Sequence, residues 1–148
     1  MQRRTKVTAI VFGTFLFLGI SLLLARALVG TGGERSAVLQ ILRAEAAGNA
    51  DDVLDRMPRC ARNPTCATVT RQRTAKLERP GRVEILNYTP STQAAFIDVT
   101  GTARVAWRTQ NRRFPVVQCV VVKRQGPLTG GKVDVISISN PVGLEADC

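Results

Sequence analysis

The sequence predicts an α+β protein, with one N-terminal transmembrane helix followed by an outer domain of three helices and about four antiparallel strands. Three observations carry this. Residues 7–25 read VTAIVFGTFLFLGISLLLA, without a charge. Apolar residues then recur at helical spacing between Glu34 and Arg79, and from Arg82 onward the period changes to two. Helices first and strands after is the order of a layered α+β domain.

As a helix rising ~1.5 Å per residue, the uncharged run would be roughly 28 Å long, close to a bilayer's hydrocarbon core. If Arg26 snorkels to the headgroups, the run extends through Val29, giving an anchor over residues 7–29. No polar face is left for a water-exposed helix. Arg3, Arg4 and Lys6 precede the run without an acid, so residues 1–6 are expected in the cytoplasm and the chain from residue 30 outside. Ala25-Arg26-Ala27 resembles a signal-peptide cleavage site, and a cleaved, secreted form is the alternative. The apolar run exceeds the ~7–15 residues usual for a signal peptide, which favours the uncleaved anchor. The expected location is therefore the cell membrane, single-pass, with the C-terminal domain outside.

Residues 30–33, GTGG, read as a short flexible linker, and residues 34–148 as one domain. In ERSAVLQILRAEAAG, Val38, Ile41, Leu42 and Glu45 or Ala46 share a helical face, and Gly48 is the stop. Asn49 offers an N-cap, Asp51 and Asp52 suit the first turn of a second helix, and Pro58 ends it. Asn63-Pro64 is an N-cap followed by a proline at the first helical position. It starts a third helix that runs to Pro80-Gly81, with Cys66 in its first turn and Cys60 in the loop before it.

The strands follow. Val83 and Ile85 alternate in RVEILNY, and a turn follows at Pro90. AAFIDVTGTARVAWRTQ makes a long strand with Ala103, Val105 and Trp107 on one face, and Gly101 marks a bulge or bend. NRR forms the hairpin tip, and the valines of FPVVQCVVVKRQ predict a strand buried on both faces. GPLTGG is a loop, and KVDVISISN is the last strand.

This order, with the stretch AVLQILRAEAAGNADDVLDRM at its start, resembles the cone-shaped α+β superfamily of the nuclear transport factor and ketosteroid isomerase. In that superfamily a curved sheet wraps round N-terminal helices. The resemblance covers residues 34–140 and is one of pattern, without a diagnostic motif. It implies a cone interior able to take a small apolar ligand. Anchored, extracytoplasmic members look like assembly subunits of secretion systems and accessory proteins of lipid importers.

The net charge of +10 divides unevenly. Four of the 21 basic residues precede residue 30, leaving 17 against all 11 acids. Residues 59–82 are the most basic stretch, with Arg59, Arg62, Arg71, Arg73, Lys76, Arg79 and Arg82 against the single acid Glu78. Outside a membrane, and without aromatics for base stacking, this does not suggest a nucleic-acid partner. The readings left are a solvated helix face, or attraction to anionic lipid or an acidic cell-wall polymer.

Enzymatic members of the resembled superfamily carry an acid or histidine base inside the cone. This chain has no histidine and a single tyrosine, Tyr88. Asp98 is the inward-facing acid candidate, and Trp107 lines the pocket or, on the simpler reading, the core. No catalytic, cofactor-binding or metal residue is assigned. The cysteines point elsewhere. Cys60 and Cys66 are too far apart for a zinc-site pair or a redox C-x-x-C motif, and an even number of thiols in an oxidising exterior predicts disulfides. Of the three possible pairings, Cys60–Cys66 and Cys119–Cys148 are favoured. The expected function is an anchored extracytoplasmic module that binds a small apolar ligand or a neighbouring envelope protein. An assembly subunit of an envelope transport or secretion complex, and a cone-pocket isomerase or dehydratase using Asp98, are the alternatives.

Overall fold

The computed structural model describes the backbone of residues 2–90, 99–126 and 132–148, and within these all side chains except those of residues 2–9 and 26–31. Four helices precede four strands: α1 (Gln2–Ala46), α2 (Ala50–Asp55), α3 (Pro58–Ala61), α4 (Pro64–Leu77), β1 (Val83–Thr89), β2 (Val99–Thr109), β3 (Val116–Gln125) and β4 (Lys132–Ile138). The strands form one antiparallel meander in the order β1-β2-β3-β4. This is the α+β class read from the sequence. The loop expected at 126–131 and the possible pocket residue Asp98 fall at least partly, and in the case of Asp98 wholly, outside the described residues.

The transmembrane helix is corrected. Among the described residues no helix is long and apolar enough to cross a membrane. The apolar side chains described in α1 run from Ile10 to Ala25. The described remainder of the helix carries Glu34, Arg35, Arg43 and Glu45. The linker at 30–33 is corrected as well, because α1 stays helical straight through it.

The end of α1 is set by local chemistry. Gly48 adopts φ +73°, its amide donates to Glu45 O at 3.1 Å, and the amide of Asn49 donates to Ala44 O at 3.0 Å. These two bonds form a Schellman motif, which needs a left-handed residue and so selects glycine. Space selects it too, since a Cβ here would lie 3.0 Å from the Glu78 carboxyl carbon. Asn49 then caps α2 by accepting from the Asp52 amide at 3.1 Å. Asn63 does the same for α4, accepting from Cys66 N at 3.1 Å, with Pro64 following. Cys60, expected in a loop, belongs to the one-turn helix α3, which Pro58 opens.

The helices cover one face of the sheet. Val38, Ile41 and Leu42 of α1 meet Val105 and Trp107 of β2, Val120 and Val122 of β3, and Val135 and Ile138 of β4 in one core. Ala103, Val105 and Trp107 share the inner face, each 0% exposed. Gly101 carries no bulge against β3, for it pairs with Val122 in an unbroken register. The irregularity lies one strand over, between Val121 and Val122 on the β4 side.

The outer face of β3 is covered by the chain's own end. Val142 bridges to Val117, which is 2% exposed. Arg104 of β2 donates from Nε to Ala146 O at 3.0 Å and from Nη2 to Leu144 O. Cys148 is joined to Cys119, the residue directly opposite Arg104 across the strand pair.

Candidate functional site

Polar side chains line the inner face where an apolar core would be expected. On α1 the buried stripe Glu34, Val38, Ile41, Glu45 has a carboxylate at each end, and its spacing of four, three and four residues keeps all on one side of the helix. Each carboxylate organises a separate cluster.

At the centre, Glu45 is 0% exposed and receives Arg73 of α4, itself 4% exposed. The Arg73 Nε donates to Glu45 Oε1 at 2.5 Å and its Nη1 to the Ile138 carbonyl at the end of β4. Gln118 of β3 donates from Nε2 to Glu45 Oε2 and to Ser139 O, both at 3.1 Å, and accepts from Trp107 Nε1 at 2.7 Å. One buried chain of hydrogen bonds, charge-assisted at Glu45 and Arg73, thus ties α1, α4, β2, β3 and the end of β4 together. Both Glu45 oxygens are engaged, so the group holds charge for the fold. Arg73 Nη2, Thr74 Oγ1 and Thr109 Oγ1 are buried without a hydrogen-bond partner among the described residues.

Nearer the apolar end of α1, Tyr88 donates from its hydroxyl to Glu34 Oε1, and Arg124, 6% exposed, acts on the same tyrosine. Burial, the Glu34 bond and the Glu34 charge push the Tyr88 phenol well above its ordinary range, with Arg124 pulling weakly the other way. Tyr88 reaches this place through a bulge. The β1–β2 register shifts between Ile85 and Asn87, so Tyr88 faces inward with Val83 and Ile85 although strict alternation would turn it out.

A titration follows from this tyrosine. Below pH ~10 both folded and unfolded chains keep the phenol protonated and its contribution is constant. Above that, the unfolded chain loses the proton and the folded chain does not, so stability falls as pH rises. Because Tyr88 is the single tyrosine, the phenolate difference spectrum, taken against Tyr88→Phe to remove the Trp107 background, reports it alone. Phenolate absorbance is expected to rise only together with unfolding, and Tyr88→Phe is expected to flatten the alkaline limb.

The basic stretch does not stay together. Arg73 is in the core, Arg71 lies 3.8 Å from Asp51, Arg62 donates to Pro58 O, and Arg79 is half-buried. Arg59, Lys76 and Arg82 remain exposed. Trp107 is wholly buried. Among the described residues no three histidine, cysteine or acidic side chains gather as a metal would require. All four cysteines are paired, Cys60 with Cys66 and Cys119 with Cys148, as the sequence favoured. Compared with protein families, curated proteins and solved structures, the chain returns no match.

Proposed function

We propose that this chain is an extracytoplasmic interaction module that works beside a lipid surface and binds another protein of the cell envelope. The observation that carries this is the cysteine chemistry. Four thiols form two disulfides and none is left free, the usage of a protein that matures in an oxidising compartment. A reducing cytoplasm would hold such pairs open.

The apolar part of α1 supports the lipid contact. Phe15, Leu16, Phe17 and Leu18 are consecutive in a helix and each at least 57% exposed, so no face of this segment is covered by the protein. A run exposed on all sides is stable in apolar surroundings, not in water. A protein partner is favoured over a small apolar ligand because the inner face around Trp107 is occupied by the Glu45, Arg73 and Gln118 side chains. The meander behind N-terminal helices is consistent with the cone-shaped superfamily, which we propose as the fold's relatives. A role as an assembly subunit of an envelope complex is the specific form this function would take.

The test uses intact cells and a membrane-impermeant amine reagent, with labelled residues mapped by mass spectrometry. Lys76 and Lys132, both exposed, are expected to be labelled without lysis. Labelling that appears only after lysis would contradict the compartment and with it the function.

A further inference from the structure

β1 is an edge strand, and among the described residues nothing pairs with its outer side. Such an edge presents a row of unpaired amides and carbonyls, which proteins usually blunt with lysine, proline or a cover. Apart from its bulge between Ile85 and Asn87, this one has no cover among the described residues, and beside it runs a groove. A recess of about 320 Å³ opens between α1 and β1, lined by Arg35, Ser36, Leu39, Val83 and Ile85. A second, of about 550 Å³, continues from Val83 past Arg43, Ala46 and Pro80 to Arg82. Val83 lines both, so the two adjoin at the start of β1 and together make a trough between α1 and the beginning of the strand.

The trough has a pattern. Arg35, Leu39 and Arg43 are spaced by four on α1 and form its helical wall, a cation, an apolar side chain and a cation in turn. The floor is apolar, from Val83 and Ile85 on the strand and Ala46 on the helix. Arg82 stands at the far end, where the Gln110 amide donates to its carbonyl at 3.1 Å. Among the described residues no carboxylate lines either recess. Among the described residues, none of Arg35, Arg43 and Arg82 forms an ion pair; Glu84, the nearest acid in sequence on β1, is taken by Arg108 at 3.1 Å.

We infer that this trough receives an extended acidic segment of another protein, which adds to β1 as a fifth strand. Main-chain bonds to the open edge would supply affinity, and alternate side chains would supply specificity. The period of two turns one set of side chains to the face that carries α1, where the apolar floor and Arg35 and Arg43 both lie, and the other set to solvent. Carboxylates in the inward set answer the arginines, so an alternating acidic segment fits. A second copy of this chain is disfavoured by charge, since two arginine-lined edges would face each other. The inference rests on the interaction-module reading and names the partner's chemistry.

The experiment uses the full chain in detergent micelles and a fluorescein-labelled peptide of three glutamate–valine repeats, followed by anisotropy. The lysine–valine counterpart is the charge control, and the same glutamate–valine peptide N-methylated at alternate residues is the backbone control. The glutamate–valine peptide is expected to bind, the lysine–valine peptide not. N-methylation on the edge-facing residues is expected to weaken binding at least tenfold, and so is the double variant Arg43→Glu, Arg82→Glu. Both substituted residues are exposed, and unchanged circular dichroism with both disulfides intact would show that the variant folds. Equal binding of the N-methylated peptide would overturn strand addition. Equal binding by the double variant, absence of binding, or a β1-mediated dimer in sedimentation would overturn the acidic partner. None of these outcomes touches the compartment, which the amine labelling tests separately.

Discussion

Arg73→Ala is expected to lower the unfolding free energy by about 3–5 kcal/mol, the usual cost of leaving one member of a buried ion pair without its partner. The Glu45 carboxylate would stay at 0% exposure, keeping the Gln118 bond and losing the guanidinium. Glu45→Gln is expected to act in the same direction, since Arg73 then lacks a counter-charge. The double variant Glu45→Met, Arg73→Met separates pair from fold: apolar replacements of similar length are often neutral or better in such sites. Urea unfolding followed by circular dichroism measures all three. The expected order places the double variant above either single one. A single variant with wild-type stability would show that the network does not hold α1 and α4 to the sheet.

Opening the Cys119–Cys148 bridge, by Cys119→Ser with Cys148→Ser, is expected to cost roughly 3–4 kcal/mol. The bridge closes 29 residues of chain, and the entropy of an unfolded loop of that size sets the magnitude. The Cys60–Cys66 bridge closes only 6 and is expected to cost roughly 2 kcal/mol on the same relation. A local effect accompanies the larger one. The Val142 amide bonds to Val117 O at 2.8 Å, and Arg104 grips the tail at Leu144 and Ala146. Hydrogen exchange at Val142 should accelerate in the opened variant before the global transition, because the tail loses its covalent end and keeps only these bonds.

Much of this architecture was legible because it depends on neighbouring residues. The caps at Asn49 and Asn63, the proline after the second, the glycine stop at Gly48 and the alternation of Ala103, Val105 and Trp107 are each decided within a few positions. The burial of Val117 under Val142 agrees with the strand expected to be buried on both faces and with the favoured Cys119–Cys148 bridge. Two features were not legible, and each depends on distant chain. Tyr88 turns inward through a bulge that strict alternation does not anticipate. Arg73 reads as one cation in a basic run because its partner, Glu45, is 28 residues back. A trace of it was present in the sequence. Thr70, Arg73, Thr74 and Leu77 recur at helical spacing and form the buried side of α4, but three of the four are polar, so a search for apolar periodicity passes over them. The anchor expected over residues 7–29 stands apart, since among the described residues no helix is long and apolar enough to cross a membrane.

The most direct test of the account is a thiol census on full-length protein isolated from its own cells and alkylated before any reductant is added. Non-reducing peptide mapping by mass spectrometry is predicted to find no alkylated cysteine, with one linked peptide joining Cys60 to Cys66 and another joining Cys119 to Cys148. Four alkylated thiols would contradict the oxidising compartment, and with it the reading of this chain as an extracytoplasmic interaction module.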